Sequence, residues 1–293
     1  MYSTPTGYKL FNFRCFRLGD RMNFSGLRLG DRMKALQSLR DYKLDKKEYV
    51  LCHIDGRAFS KLIKHNFELP FDDKFMDFMN QTAIYLCKSI QGCKLAYVQS
   101  DEISLLLTDF SKEETGNFFQ YRLCKLQSVI ASLATGEFNK LWLLDQVTKR
   151  PDIPANNIVK DYKPVQFDCK AWNVYEYNDA FAWFKFRQND CIRNSKQQAA
   201  QTYVKPKKKL VNLSSDQQIE LLKNEYGIDW NEYSNGKKYG RLIRRCIYEA
   251  EGENPIIHEQ AMSIRHKWVA EDAPIFTNEY FEDNELIPKK EDE

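Results

Sequence analysis

Apolar positions come in two textures along this chain. Short continuous runs, Tyr49 to Ile54 and the segments at about 94 to 99 and 103 to 108, read as buried strands. Longer stretches repeat apolar residues every three or four positions. Phe75, Phe78, Met79, Thr82 and Leu86 predict a helix over about 72 to 90, with Asp72 and Asp73 at its positive end and Gly92 closing it. Leu123, Leu126, Ile130 and Leu133 predict a second over about 117 to 144, after Thr115-Gly116-Asn117. A segment that is aromatic early and polar late predicts a third over about 176 to 203. Residues 166 to 172 fit another strand, and Pro151, Pro154, Asn156 and Asn157 mark a loop. The order strand, helix, hairpin, helix, strand is that of a ferredoxin-like βαββαβ unit, an α/β (α+β) class with an antiparallel sheet and long packed helices. Beyond it, Lys205 to Lys209 reads as a linker, followed by a capped helix from Ser214 or Ser215 and a basic strand-like segment from Tyr239 to Tyr248.

Two of the apolar runs are broken by charge. The hairpin Ala96 to Leu107 carries Ser100-Asp101-Glu102 where Asn-Gly or Asp-Gly would be the ordinary turn. The first strand runs straight into Asp55-Gly56-Arg57, read as its turn. The predicted topology brings these two places together, so Asp55 and Asp101 can share a Mg²⁺ site with a backbone carbonyl near Gly56. Taken singly, Asp55-Gly56 serves equally as a simple turn and Asp101 as a cap. On the third long helix, Arg187, Asp190 and Asn194 fall on one face, which suits either a ligand's phosphate or base edge or an ordinary solvated surface. Lys125 reads locally as an exposed lysine.

Charge sharpens this picture. The chain of 293 residues has a net charge of +3, but the last twelve residues hold six acids and two lysines; removing that −4 leaves +7 on the body. The excess gathers at Arg187, Arg193, Lys196, Lys205 to Lys209 with Lys207 and Lys208 among them, and Lys237, Lys238, Arg241, Arg244 and Arg245. Such clusters fit a phosphate-rich partner such as RNA, as well as a solvated basic face. Eight scattered cysteines without a Cys-x-x-Cys pair fit a reducing compartment, and four dispersed histidines argue against a zinc cluster. No apolar window approaches a membrane span and no leader is read at the N-terminus, so a cytoplasmic location without membrane attachment is expected. A six-residue repeat, Arg17 to Met22 and again Arg28 to Met33, is too short for a solenoid.

Several segments in this order resemble the tRNA(His) guanylyltransferase family, polymerases that extend RNA in the 3′-to-5′ direction. They are Gly30-Asp-Arg-Met-Lys34, His53-Ile-Asp-Gly-Arg-Ala-Phe-Ser60 with Phe67 and Pro70-Phe71, and Ala96-Tyr-Val-Gln-Ser-Asp-Glu-Ile-Ser104. Lys125-x-x-Ser128-x-x-Ala131-Ser132 and Arg187-Gln-Asn-Asp190 with Asn194 complete the set, which covers about residues 29 to 204. The resemblance implies a palm-like domain with two Mg²⁺ ions at Asp55, the Gly56 carbonyl and Asp101, with Glu102 beside them. It further implies that Gly56, Arg57, Ser100, Lys125, Asp190 and Asn194 contact nucleotide, and that ATP and GTP are substrates with tRNA. In the family, ATP activates the tRNA 5′-phosphate and the 3′-hydroxyl of GTP then attacks it. Ile192-Arg193-Asn194-Ser195 stands where the eukaryotic branch has His-Ile-Asn-Asn, so the resemblance is closer to the guanylyltransferase-like branch that fills in shortened tRNAs against a template. Leu69 replaces a lysine that precedes the proline in some members.

The expected organisation is an N-terminal extension (1 to 28), a catalytic domain (29 to 204), a basic accessory region (205 to 281) and a disordered acidic tail (282 to 293). The expected activity is a nucleotidyltransferase acting on tRNA 5′-ends, in a homotetramer by resemblance. An RNA-binding protein that lost turnover, or another palm enzyme such as a nucleotide cyclase, are the alternatives.

Overall fold

The computed structural model describes residues 28 to 38, 41 to 110, 117 to 253 and 260 to 290. The first copy of the hexapeptide repeat and the Thr115-Gly116 turn lie outside them. The chain forms two units, Met1–Asp41 and Tyr42–Glu293. In the first, the second repeat copy falls in helix α1 (Leu29–Ser38), which has no buried residue.

The second unit is built on a six-stranded sheet in which every pairing is antiparallel. Its strands are β1 (Tyr49–Arg57), β2 (Cys93–Gln99), β3 (Glu102–Leu107), β4 (Gln166–Val174), β5 (Arg241–Glu253) and β6 (Gln260–Asp272), in the spatial order β4-β1-β3-β2-β5-β6. The first four strands, with helices α2 (Phe59–Asn66), α3 (Asp73–Ser89) and α4 (Leu123–Thr148) between them, make the expected βαββαβ core. Period-two alternation sorts their side chains to two faces. Val50, Cys52, Ile54, Val98, Ile103 and Leu105 pack under α3 and α4 against Phe75, Met79, Ile130 and Phe138. On the other face Tyr49, Leu51, Leu95, Tyr97 and Leu106 meet a long helix that follows β4 and α5 (Ala155–Asp161); this is α6 (Tyr177–Tyr203), contributing Ala180 and Phe184. The late part of α6 packs Ala199 and Ala200 against Leu222 of α7 (Ser215–Tyr226) and against Trp230. A short α8 (Asn235–Tyr239) then leads into β5.

Four sequence expectations are corrected. Asp55-Gly56 is not a turn: β1 runs on to Arg57 because β4 continues opposite it, pairing Asp55 with Asp168 and Gly56 with Phe167 and so filling the backbone ladder. The loop near 151 to 157 is shorter than expected: Pro151 to Pro154 are loop, but Asn156 and Asn157 fall in α5. The basic segment is longer than expected; β5 pairs through Leu95↔Arg244 to Val98↔Arg241 and, with β6, extends the core sheet. The acidic tail is ordered to residue 290: helix α9 (Asn278–Asp283) buries Phe281, Leu286 and Ile287 join the core behind α6, and the Tyr49 hydroxyl donates to the Pro288 carbonyl at 2.8 Å. Burial of these apolar residues, with Lys290 paired to Glu48, docks an otherwise acidic segment.

Gly240 anchors the start of β5. Its φ is +81°, and an added Cβ would lie 2.5 Å from the hydroxyl of buried Tyr97, which itself donates to the Tyr239 carbonyl at 2.7 Å. Gly240→Ala is therefore expected to lower stability by about 2 kcal/mol or more, read as a lower urea midpoint at unchanged slope.

Candidate active site

Antiparallel register sets three carboxylates in one row across the sheet: Asp168 on β4 opposite Asp55 on β1, and Asp55 opposite Glu102 on β3. Directly paired residues share a face, so all three point to the α6 side. The next row on the same face is Lys170, His53 and Ser104. Asp101 joins from the end of the β2–β3 hairpin, whose two-residue turn is Ser100-Asp101 closed by the Gln99↔Glu102 pair. Ser100 takes φ +45°, a left-handed conformation unusual for serine, and its hydroxyl donates to Asp101 at 3.0 Å.

The row is counterbalanced from α6. Arg187, 8% exposed, bonds Glu102 with Nη2 and Asp190 with Nη1 (3.0 Å). Its guanidinium lies 5.2 Å from the Phe186 ring centre and 5.8 Å from that of Trp183. Gln99 donates to Glu102 at 2.8 Å, and His53 Nε2 stands 4.0 Å from the same carboxylate. Asp190 is also bonded by Arg193. Glu102 is thereby tied into the wall of the site, while Asp101 lines open space.

That space consists of two cavities meeting at Ser100 and Asp101. One of about 590 Å³ is bordered by Gly56, Lys64, Leu69, Lys205 and Lys207. The other, about 140 Å³, lies between Phe71, Phe75, Glu102, Asn194, Lys237 and Arg241. Gly56 has a steric role: an added Cβ would fall 2.5 Å from the ring of Phe59, which is buried among Phe75, Phe138 and Phe167.

Crowded acids raise one another's proton affinity. Burial, opposed by the Ser100 hydroxyl and its own backbone amide and aided by Asp55 and Glu102, pushes Asp101 up to about 6. Asp55 is raised by burial, then by Glu102 and Asp168. Burial lowers His53 despite the pull of Glu102. Such a set fits a divalent cation: Asp55 and Asp101 are hard oxygen donors whose mutual repulsion a cation relieves. Among the described residues, ligand atoms of His53, Asp55 and Glu102 come within 4.8 Å of one another.

Other residues singled out in the sequence fall as follows. Arg57 is exposed beside the row and donates to Gln166 at 3.1 Å. Asn194 borders the smaller cavity; Asp190 faces inward to two arginines rather than to open space. Lys125 is exposed at the start of α4 and lines neither cavity. Of the residues expected to meet RNA, Arg187 is buried, Arg193 holds Asp190, and Arg244 pairs with Glu271 (2.6 and 3.2 Å), so carboxylates already occupy all three. Lys207 and Lys208 are exposed, and Lys207 edges the larger cavity. Asp168, beside Asp55, and Arg241, in the smaller cavity, carry no local signal of a role in the site. The exposed alternation of β4 puts Asp168 on the polar face, but only the register places it beside Asp55.

The sequence model of the family described as Thg1, tRNAHis guanylyltransferase, matches residues 30 to 175. The tRNA(His) guanylyltransferase of Eremothecium gossypii is 30% identical, over 67% of this chain and 82% of that protein. A solved bacterial tRNA(His) guanylyltransferase (Thg1)-like protein in complex with ATP superposes with a TM-score of 0.73 at 28% identity, over 90% of this chain and all of that one. A complex of such a bacterial protein with GTP gives 0.68 at 28% identity, over 88% and 97%. Register, carboxylate row and likeness converge: this chain belongs to the tRNA(His) guanylyltransferase family.

Proposed function

We propose that this protein is a Mg²⁺-dependent nucleotidyltransferase that lengthens tRNA at its 5′-end, in the 3′-to-5′ direction, with ATP and GTP as substrates. The observation that carries this reading is Asp101 at the junction of two cavities, with Asp55 close enough to act on its charge and Gly56 bordering the larger cavity, in a chain of this family. In the first step an oxygen of the RNA 5′-phosphate attacks the α-phosphorus of ATP and pyrophosphate leaves. In the second, the 3′-hydroxyl of GTP attacks the activated 5′-phosphorus and AMP leaves. A 5′-triphosphorylated RNA enters directly at the second step.

Asp55, the Gly56 carbonyl and Asp101 would hold two Mg²⁺ ions, which would supply charge neutralisation for phosphoryl transfer. Gly56 keeps Asp55 seated by leaving room for Phe59. Lys64, Lys205 and Lys207 border the cavity where phosphates gather, Ser100 offers a hydrogen bond at the junction and Asn194 another in the smaller cavity, and Arg57 follows Gly56 on the same strand as a further nucleotide contact. Glu102 acts through its ion pair with Arg187, fixing the wall against which Asp55 sits. Ile192-Arg193-Asn194-Ser195 favours templated fill-in over dedicated addition of one guanosine to tRNA(His). Exposed Ile247, Met262 and Ile264 along the β5–β6 hairpin offer an apolar surface for a homotetramer. Among the described residues no helix is long and apolar enough to cross a membrane; a cytoplasmic place of action is part of the proposal because its tRNA substrate would be met there.

Purified protein with Mg²⁺, ATP and labelled GTP is expected to lengthen a 5′-shortened tRNA, and to do so better than full-length tRNA(His). Intact tRNA binding without extension of any 5′-phosphorylated or 5′-triphosphorylated RNA would reduce it to a binding protein; cyclisation of ATP or GTP without RNA would make it another palm enzyme.

A further inference from the structure

A third and larger cavity, about 780 Å³, lies on the far side of α2, between α4, α5 and the start of β4. Its rim carries Arg57, Lys61, His65, Arg150 and Lys163, against a single carboxylate, Asp161. Arg57 and Arg150 are bonded only to the amides of Gln166 and Gln146, and Lys61, His65 and Lys163 have no carboxylate partner among the described residues. By contrast, Arg187, Arg193, Lys196, Lys223 and Arg244 each hold an acid. An unmatched ring of cations around a concavity is costly by mutual repulsion unless an anion lowers it.

The floor is apolar, formed by Leu62, Trp142, Ile158 and Tyr162. Cationic rim, amides and apolar floor are the three elements that hold an unpaired nucleotide, by phosphate, base edge and base face. The volume lies in the range of small-ligand sites and is concave, which suits splayed bases and excludes a duplex. Location adds a further constraint. This cavity and the one bearing Asp101 share Ala58, and Lys64, Lys205 and Lys207 continue the basic lining around α2. A strand leaving the reacting end thus has basic side chains in both cavities, which adjoin at Ala58.

We infer that the cavity between α2, α4 and α5 binds unpaired nucleotides of the RNA substrate next to its reacting 5′-end. This rests on the proposed function only for the identity of that end. The test uses the full chain without GTP or Mg²⁺, so binding is read apart from turnover. Two probes are compared: a 5′-triphosphorylated RNA hairpin with four unpaired 3′ nucleotides, and the same hairpin with a blunt end. Wild type is expected to bind the first about tenfold more tightly. The triple variant Lys61→Glu, Arg150→Glu, Lys163→Glu should bind both alike, and the slope of log affinity against log salt should be shallower by about 2. These side chains are exposed, and an unchanged melting temperature excludes misfolding. As a second measurement on wild type, 4-thiouridine in the unpaired segment should crosslink within residues 142 to 165. Equal binding of both probes by wild type, an unchanged preference in the variant, or crosslinks confined to the β5–β6 hairpin overturns the inference. Loss of the overhang preference when ATP is added overturns it too, in favour of a free-nucleotide site. If the variant loses the overhang preference but wild type extends no RNA, the proposed function fails and this inference stands; the reverse pattern removes this inference alone.

Discussion

Asp101→Asn should abolish extension, with a rate loss of about a thousandfold or more, because it removes a charge that acts on the transferring phosphoryl group and has no substitute at the hairpin turn. Stability should move the other way. Burial first of all, with Asp55 and Glu102 adding to it, places the Asp101 carboxyl at about 6 against an ordinary 3.8. An acid whose folded-state value is raised stabilises the fold only when protonated, so its ionised form is a burden above pH 6 in metal-free protein. Asn should therefore be more stable than wild type at neutral pH, by about 2 kcal/mol once partial solvent access is allowed for. The gap should close as pH falls from 6 towards 4, where wild type takes up its proton. Urea melts of both proteins at pH 4, 5, 6 and 7.5, with chelator present, measure this directly, and added Mg²⁺ should stabilise wild type selectively.

Arg187→Ala should be the most damaging single change to the fold of the site. The guanidinium neutralises Glu102 and Asp190 together while sitting between Trp183 and Phe186. Without it Glu102 stands uncompensated in one row with Asp55 and Asp168, and Asp190 keeps Arg193 alone among the cations paired with it in the described residues. Leaving such charges unpaired costs about 3–5 kcal/mol. The expected result is a large drop in melting temperature together with loss of extension. Arg187→Lys, which keeps the charge but cannot bond both acids with a planar fork, should recover part of the stability and little of the activity.

The contrast between these two residues shows what the sequence discloses. Asp101 stands out because a charged pair interrupts an apolar hairpin, a local feature that needs no partner to be seen. Asp55 stands out for the same reason, yet its local structure is not legible: a strand end and a strand interior look alike until β4 is known to run alongside. Arg187 reads as an exposed helix face by spacing, and its burial follows from which side of α6 meets the sheet. Asp168 is one polar position among several on β4, and only the register sets it beside Asp55. The βαββαβ core follows from hydrophobic period and element order, which are local. The joining of β5 and β6 to β2, and the docking of Leu286 and Ile287, depend on contacts across more than a hundred residues.

The central claim is directional synthesis at the 5′-end, and end-mapping of the product tests it most directly. A 5′-triphosphorylated, 5′-shortened tRNA is incubated with the protein, Mg²⁺ and α-labelled GTP, and the labelled product is cut near each terminus. Label confined to the 5′-terminal fragment, in wild type but not in Asp101→Asn, is the predicted result. Label in the 3′-terminal fragment, or equal labelling by both proteins, would contradict it.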